Sequence, residues 1–298
     1  MTDARFTNVK IANREGIGSV MRRIFNLDLR MTVVVQILCC SLIAVALTTV
    51  SPARAENESD NVWEFRAAPY IWIPAMTGDV AVNGTETDID TSVSDVFTGS
   101  DFAFALQGQF EARHRSRWGA FVNGQWAVLK ENDNLNGTPL EFDLKMNSGI
   151  FEAGGFYSFG ERPFGAESDS ATWTLEPLFG ARLTVIKVTF DFDNFSDDDD
   201  TETFIDPFLG ARATFRFGPE NRWNWTLRGD IGGFGVGSDF TWNAIGLLGY
   251  DFHISSMPSK VMLGGRALSQ DYEDGSGSSK FRWDVIQYGP VLALELKF

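Results

Sequence analysis

Cysteine is almost missing from this 298-residue chain: Cys39 and Cys40 are the only two. Both lie in an N-terminal apolar run. A mature chain cleaved after that run has no thiol, which excludes disulfides, thiolate catalysis and cysteine-ligated metals. Cys39 follows Leu38 rather than a small residue, which argues against a lipidated cysteine. Histidine is as scarce, with His114 and His253 alone. His114 falls in the basic turn Arg113-His114-Arg115-Ser116-Arg117, and both histidines fall near predicted short turns. The chain has no H-E-x-x-H, G-x-S-x-G or phosphate-loop spacing, so no catalytic residue, metal site or cofactor is expected and the chain reads as a non-enzyme. Positive charge is short as well. The 25 Lys/Arg face 40 Asp/Glu, a net charge of −15 that disfavours nucleic acid as a partner. After Val50 no second long apolar run occurs, so no transmembrane helix is expected downstream.

The N-terminus is built like an export signal. Arg22, Arg23 and Arg30 precede an uncharged stretch from Met31 to Val50, then Pro52 and the small-x-small sequence Ala53-Arg54-Ala55. Cleavage is expected after Ala55, which makes residues 1–55 a signal peptide with an extended basic region and 56–298 the mature domain. Met21 is an alternative start. Arg5, Lys10, Arg14, Arg22, Arg23, Arg30 and Arg54 leave with this segment against only Asp3, Glu15 and Asp28, so the mature chain is more acidic still. An uncleaved membrane anchor is the competing reading of the apolar run.

What the chain has in plenty is aromatics and glycine: 26 Phe, 9 Trp and 29 Gly. That composition suits strands and tight turns. Apolar residues recur at every second position. Phe102, Phe104, Leu106, Phe110 and Ala112 alternate with Gln107, Gln109, Glu111 and Arg113. Trp118, Ala120, Val122, Trp126 and Val128 alternate with Asn123 and Gln125. The same holds for Trp173–Val185, for Ile205–Phe217 and for Trp223–Ile231, and the first strand, 63–74, sets Trp63, Phe65, Ile71 and Ile73 against Glu64 and Arg66. Segments 240–253 and 260–273 fit less cleanly, with Ile245, Leu247 and Leu268 in the polar phase, and 141–159 changes phase near Ile150–Phe151, which predicts a bulge. A soluble β-sandwich also alternates. Against it stand the length of the strands, the tryptophans at strand ends and an apolar face on nearly every strand, all of which suit lipid.

The C-terminus, Tyr288-Gly-Pro-Val-Leu292-Ala-Leu294-Glu-Leu296-Lys-Phe298, alternates to its last residue. It resembles the terminal strand of bacterial outer-membrane proteins, and the resemblance implies recognition by the barrel-assembly machinery through Phe298. Connections agree: 113–117, 218–222 and 255–259 are short, while 75–100, 132–140, 191–202 and 273–280 are longer and acidic or glycine-rich, as periplasmic turns and outer loops should be. Segment 160–171 is a partial exception. The expected fold is all-β, a closed antiparallel up-and-down transmembrane barrel of about ten strands. Eight remain open if the weak segments leave the wall, and twelve if 79–82 and 85–91, a hairpin about Asn83-Gly84, join it. The opening Ala67-Ala68-Pro69-Tyr70-Ile71-Trp72-Ile73-Pro74 with Gly78-Asp79-Val80 resembles a widespread family of porin-like outer-membrane proteins of Gram-negative bacteria. No activity is established for that family, so the resemblance bears on fold and on location in the outer membrane rather than on function.

Candidate site residues lie in the polar phase, predicted to face the bore. They are Arg66, Glu111, Arg113, Glu176, Arg182, Asp206, Arg212, Arg228, Asp230 and Arg266. A short repeat relates Glu176-Pro-Leu-Phe-Gly-Ala-Arg182 to Asp206-Pro-Phe-Leu-Gly-Ala-Arg212. On antiparallel neighbours it predicts that Glu176 meets Arg212 and Asp206 meets Arg182. Two functions follow: a narrow or gated pore for small polar solutes or ions, lined by these charges, or a closed structural or surface-interaction barrel in which they pair off. A lipid- or peptide-modifying enzyme is a third, less supported reading. The segment Asp191–Glu202 misses the EF-hand spacing and reads as a solvated acidic loop. Gly232-Gly233-Phe234-Gly235-Val236-Gly237 has the wrong spacing for a nucleotide fingerprint and reads as a loop. Outer-membrane lipid and lipopolysaccharide are the expected surroundings; oligomeric state is not legible.

Overall fold

The computed structural model describes residues 61–82, 84–92, 102–134, 141–164, 171–192 and 198–298. The expected signal peptide lies outside them. Ten long strands form the wall. They are β1 (Trp63–Trp72), β4 (Phe102–His114), β5 (Trp118–Asn134), β6 (Glu141–Tyr157), β8 (Ala171–Phe192), β9 (Asp198–Phe217), β10 (Trp223–Gly233), β11 (Phe240–Ile254), β12 (Met257–Asp274) and β13 (Phe281–Lys297). Each pairs antiparallel with its neighbour in that order, and β1 closes the cylinder on β13, with Arg66 opposite Lys297 and Trp72 opposite Val291. Reciprocal backbone bonds between Phe65 and Phe298 (2.9 and 3.0 Å) fasten the seam at the last residue.

Three further strands decorate this wall. β2 (Ala75–Val82) and β3 (Thr85–Thr91) form the hairpin expected about Asn83-Gly84, with Gly84 at φ +76° as a tight hairpin turn requires. The wall is neither eight- nor twelve-stranded: β2 continues the line of β1 along β13, Arg282 opposite Ala81, and β3 pairs with β2. β1 pairs with β4 as far as Pro69, opposite Gly108, and at Trp72 the Gln107 side chain stands in for a strand partner. It accepts from the Trp72 N–H (2.6 Å) and donates to the Trp72 carbonyl (3.0 Å). β7 (Arg162–Phe164) is a short strand on β8 and fills part of the exceptional connection.

Several expectations are corrected. β6 pairs with β5 without a break from Trp118–Tyr157 to Asn134–Glu141, so there is no bulge at Ile150–Phe151. Instead Ile150 points inward into an apolar cluster with Trp72, Leu268 and Val291. The irregular register lies between Phe102 and Phe104. β11 and β12 pair along their whole length despite their mixed pattern, because Ile245, Leu247 and Leu268 have apolar partners inside the barrel. The acidic loop is shorter than expected, since β8 runs to Phe192 and β9 starts at Asp198, where it pairs with Phe190.

The outer face carries Ile71, Phe110, Val122, Phe179, Leu209, Leu227, Leu263 and Leu292, all exposed. Trp63, Trp118, Trp223, Trp225 and Phe298 are exposed toward the rim that holds both ends of the barrel chain and the turns 115–117, 218–222 and 255–256. A closed cylinder satisfies its backbone groups internally, which permits an apolar exterior to face hydrocarbon, and short turns mark the periplasmic rim of such barrels. This chain is an outer-membrane β-barrel.

Candidate functional site

All ten predicted site residues occupy inward positions, because inward and outward side chains alternate along each strand and the register is regular. The structure brings them together in two layers. The layer nearer the periplasmic rim is a closed ring of four charges. Arg113 donates to Glu111 (2.5 Å) and to both oxygens of Glu176 (2.7 and 3.2 Å); Arg212 donates to Glu111 (2.7 Å) and Glu176 (2.7 Å). Both guanidiniums stand over the ring of Phe156, at 4.7 and 5.0 Å. Glu111 on β4 and Arg212 on β9 are far apart around the wall, so this ring ties opposite sides of the bore. The carboxylate side chains are 3% exposed, while Arg113 and Arg212 are 21% and 15% exposed. The layer therefore turns its positive edge to the remaining space.

The middle layer is drier. Glu152 accepts from Arg182 (2.9 Å), Arg228 (3.0 Å) and Arg266 (3.3 Å), and Asp230 accepts from Arg182 (2.7 Å), Arg228 (3.0 Å) and Asn243 (2.8 Å). Arg266 also donates to Asn243 and Gln125 and lies over the ring of Trp72. Glu152, Gln125 and Asn243 are the members of this network outside the ten candidate residues. Their inward phase was the available signal. Gly154 and Gly180 make room for it: a β-carbon at either would strike a backbone oxygen at 2.4 Å and the ring of Phe121 or Phe208. Those two rings in turn carry the guanidiniums of Arg228 and Arg182.

The repeat was half right about partners. Glu176 opposes Arg212 and bonds to it. Asp206 opposes Arg182 in register, but its carboxylate accepts instead from the N–H (2.6 Å) and hydroxyl (2.9 Å) of Ser238. The glycine-rich connection between β10 and β11 makes this possible. It dips into the bore, with Gly233 and Gly235 at positive φ and Gly237 too close to the Ile205 carbonyl for a side chain. Arg182, released from Asp206, completes the middle layer.

Above these layers the interior is apolar. Met76, Val80 and Val82 of the hairpin pack with Phe281, Trp283 and Val285 of β13 and with Ile186 and Phe204 from β8 and β9. Tyr272 stacks on Phe204 at 4.1 Å. On the outside of the same strands stand Asp79, Asp271 and Asp284, in directly opposed positions that continue to Asp88. Below the charged layers, Arg66 pairs with Glu64, Lys260 with Glu295 and Arg216 with Asp251. Among the described residues no group of His, Cys, Asp and Glu is arranged to hold a metal ion. His114 leans on Trp63 and contacts Ser116 in its own turn, and His253 lies exposed at the same rim.

No protein-family model and no curated protein matches the chain. Solved structures similar to it include the outer membrane protease OmpT from Escherichia coli, 8% identical over 83% of this chain and 99% of that one, with a TM-score of 0.42. Ail, the attachment invasion locus protein of Yersinia pestis, is 12% identical over 80% of this chain and 99% of its own, with a TM-score of 0.30. Neisserial surface protein A is 11% identical over 80% and 98%, with a TM-score of 0.25. At these identities and overlaps no activity passes from them to this chain, and function is read from its own interior.

Proposed function

We propose that this outer-membrane barrel is closed, a structural and surface-interaction barrel rather than an open porin or an enzyme. The observation that carries the reading is the completeness of burial across the bore. Arg182, Thr184, Ile186, Asp206 and Leu268 are 0% exposed, on strands from different sides of the wall. Two charged layers and the apolar packing above them are stacked in series. A pore would have to pass all three, and breaking a buried pair leaves an uncompensated charge at a cost of about 3–5 kcal/mol. Barrels near this size are ordinarily filled by side chains. In this reading the ten inward charges are the core of the barrel. Phe298, fixed at the seam, serves assembly, the lipid belt meets lipopolysaccharide, and the acidic outer surface meets partners outside the cell.

A gated pore has one observation in its favour: the β2–β3 hairpin contributes to the apolar packing and is paired to the wall through β13. Its removal leaves both charged layers in place, so the closed reading is preferred. Planar-bilayer recording of the purified protein tests this. The expected trace is flat at background, also after deletion of residues 75–91. Discrete conductance steps from the intact protein would overturn the closed reading, and steps only from the deletion variant would establish the hairpin as a gate.

A further inference from the structure

The closed bore is not full. Between the periplasmic rim and the middle layer lies a cavity of about 130 Å³ lined from all ten wall strands. It shares Arg66, Arg216, Lys260 and Glu295 with a rim recess of about 360 Å³ that reaches the turn residues Asn221 and Arg222, so its mouth faces the periplasm. Its far end is stopped by Arg228 and Arg266 of the middle layer and by the apolar cluster of Trp72 and Val291.

The lining has two chemistries. Arg66, Arg113, Arg212, Arg216 and Lys260 present cations, and Glu295 is the one carboxylate among the lining residues. The carboxylates of the four-charge ring sit behind its guanidiniums, as their exposures require. Arg212 keeps an Nη2 with no hydrogen-bond partner among the described residues. Facing the cavity as well are Ile245, Leu247, Met262, Val291 and Ala293, an apolar strip contributed by β11, β12 and β13. Ile245 and Leu247 are the residues that spoil the alternation of their strand. A purely electrostatic lumen has no use for them, and a membrane-facing role is excluded by their phase.

We propose that this cavity is a periplasm-facing pocket for a small amphipathic anion, an aromatic or short aliphatic carboxylate. The carboxylate meets the exposed edges of Arg113 and Arg212, and the hydrocarbon lies along Ile245, Leu247 and Met262. About 10–15 Å³ of such space is enough for one water, so the pocket has room for an acid of benzoate or hexanoate size. An inorganic oxyanion leaves the apolar strip unused, and a neutral hydrocarbon leaves the guanidiniums unmatched. This goes beyond the closed-barrel reading and does not depend on conduction.

The test is calorimetric titration of the detergent-folded full barrel with benzoate and hexanoate, with inorganic phosphate and toluene as comparison probes. Both carboxylates should bind saturably, phosphate and toluene should not, and benzoate affinity should fall as salt is raised. Met262→Trp fills the cavity without touching an ion pair and should weaken benzoate by about tenfold or more. If that variant does not fold, as judged by heat-modifiable migration, Ala293→Leu takes its place with the same expectation. Leu263→Ala, on the lipid face, should bind as the parent does. Absence of saturable carboxylate binding overturns the proposal, as does phosphate or toluene binding of equal strength, or benzoate affinity unchanged in the filled variant.

Discussion

The periplasmic and outer halves of this barrel share strands yet have opposite polarity. In β13, Leu292, Leu294 and Leu296 point out while Glu295 and Lys297 point in; ten residues earlier Arg282 and Asp284 point out while Phe281, Trp283 and Val285 point in. β12 inverts likewise, from Leu263 outside and Arg266 inside to Asp271 outside and Tyr272 inside. A backbone that alternates with period two is indifferent to which face is greasy. The surroundings decide: hydrocarbon around the periplasmic half, water around the outer half. The strands, up to 22 residues in β8, are longer than the nine to eleven or so residues a tilted strand needs to cross a bilayer, so the excess behaves as a soluble β-structure with its own apolar core.

This contrast breaks most severely where a charge is left alone in the lipid-surrounded half. Glu152→Leu removes the acceptor shared by three arginines and should destabilise the barrel by about 4 kcal/mol, read as a lower urea midpoint for loss of heat-modifiable migration. Phe204→Ala in the outer half should cost about 3 kcal/mol. That loss should be local, exposing the β2–β3 hairpin to protease while the periplasmic half stays folded; global unfolding would show that the halves are one cooperative unit. Leu292→Arg, on the lipid face, should cost about 2 kcal/mol in the same urea titration, whereas Ile286→Arg, three pleat repeats further out along β13, should be nearly neutral. The smallest effect has the opposite sign. Asp271 stands directly opposite Asp284, which Arg282 already holds, and Asp271→Asn should raise stability by about 0.5 kcal/mol at low salt, with the gain disappearing at high salt.

Much of the wall was legible because the lipid-facing pattern is strict. The stretches 107–112, 118–127 and 205–217 read as strand with the observed phase, and the acid–arginine repeat places Glu176 against Arg212 in the observed register. The pattern failed where the interior is not uniformly polar. Ile150, Ile245, Leu247 and Leu268 look like phase errors to a template that expects a watery bore, and Ile150 reads as a bulge on that ground. Strand ends were missed for a related reason. Past the membrane level apolar residues move inside, so Asp198–Glu202 carries the polarity of a loop while hydrogen-bonding as a strand, and β2 starts at Ala75 rather than at Asp79.

By itself the sequence determined that this is an all-β, alternately greasy cylinder closed by a strand ending in Phe298. Those features are periodic and local, and period and end residues can be read one strand at a time. It took the folded chain to show that Arg182 answers to Glu152 and Asp230 rather than to Asp206, and that charged and apolar layers stack across the bore. It alone also showed a cationic, half-apolar cavity beneath. Each depends on which residues meet across the lumen, and a two-residue repeat fixes which way a side chain points but carries no information about what waits on the far wall.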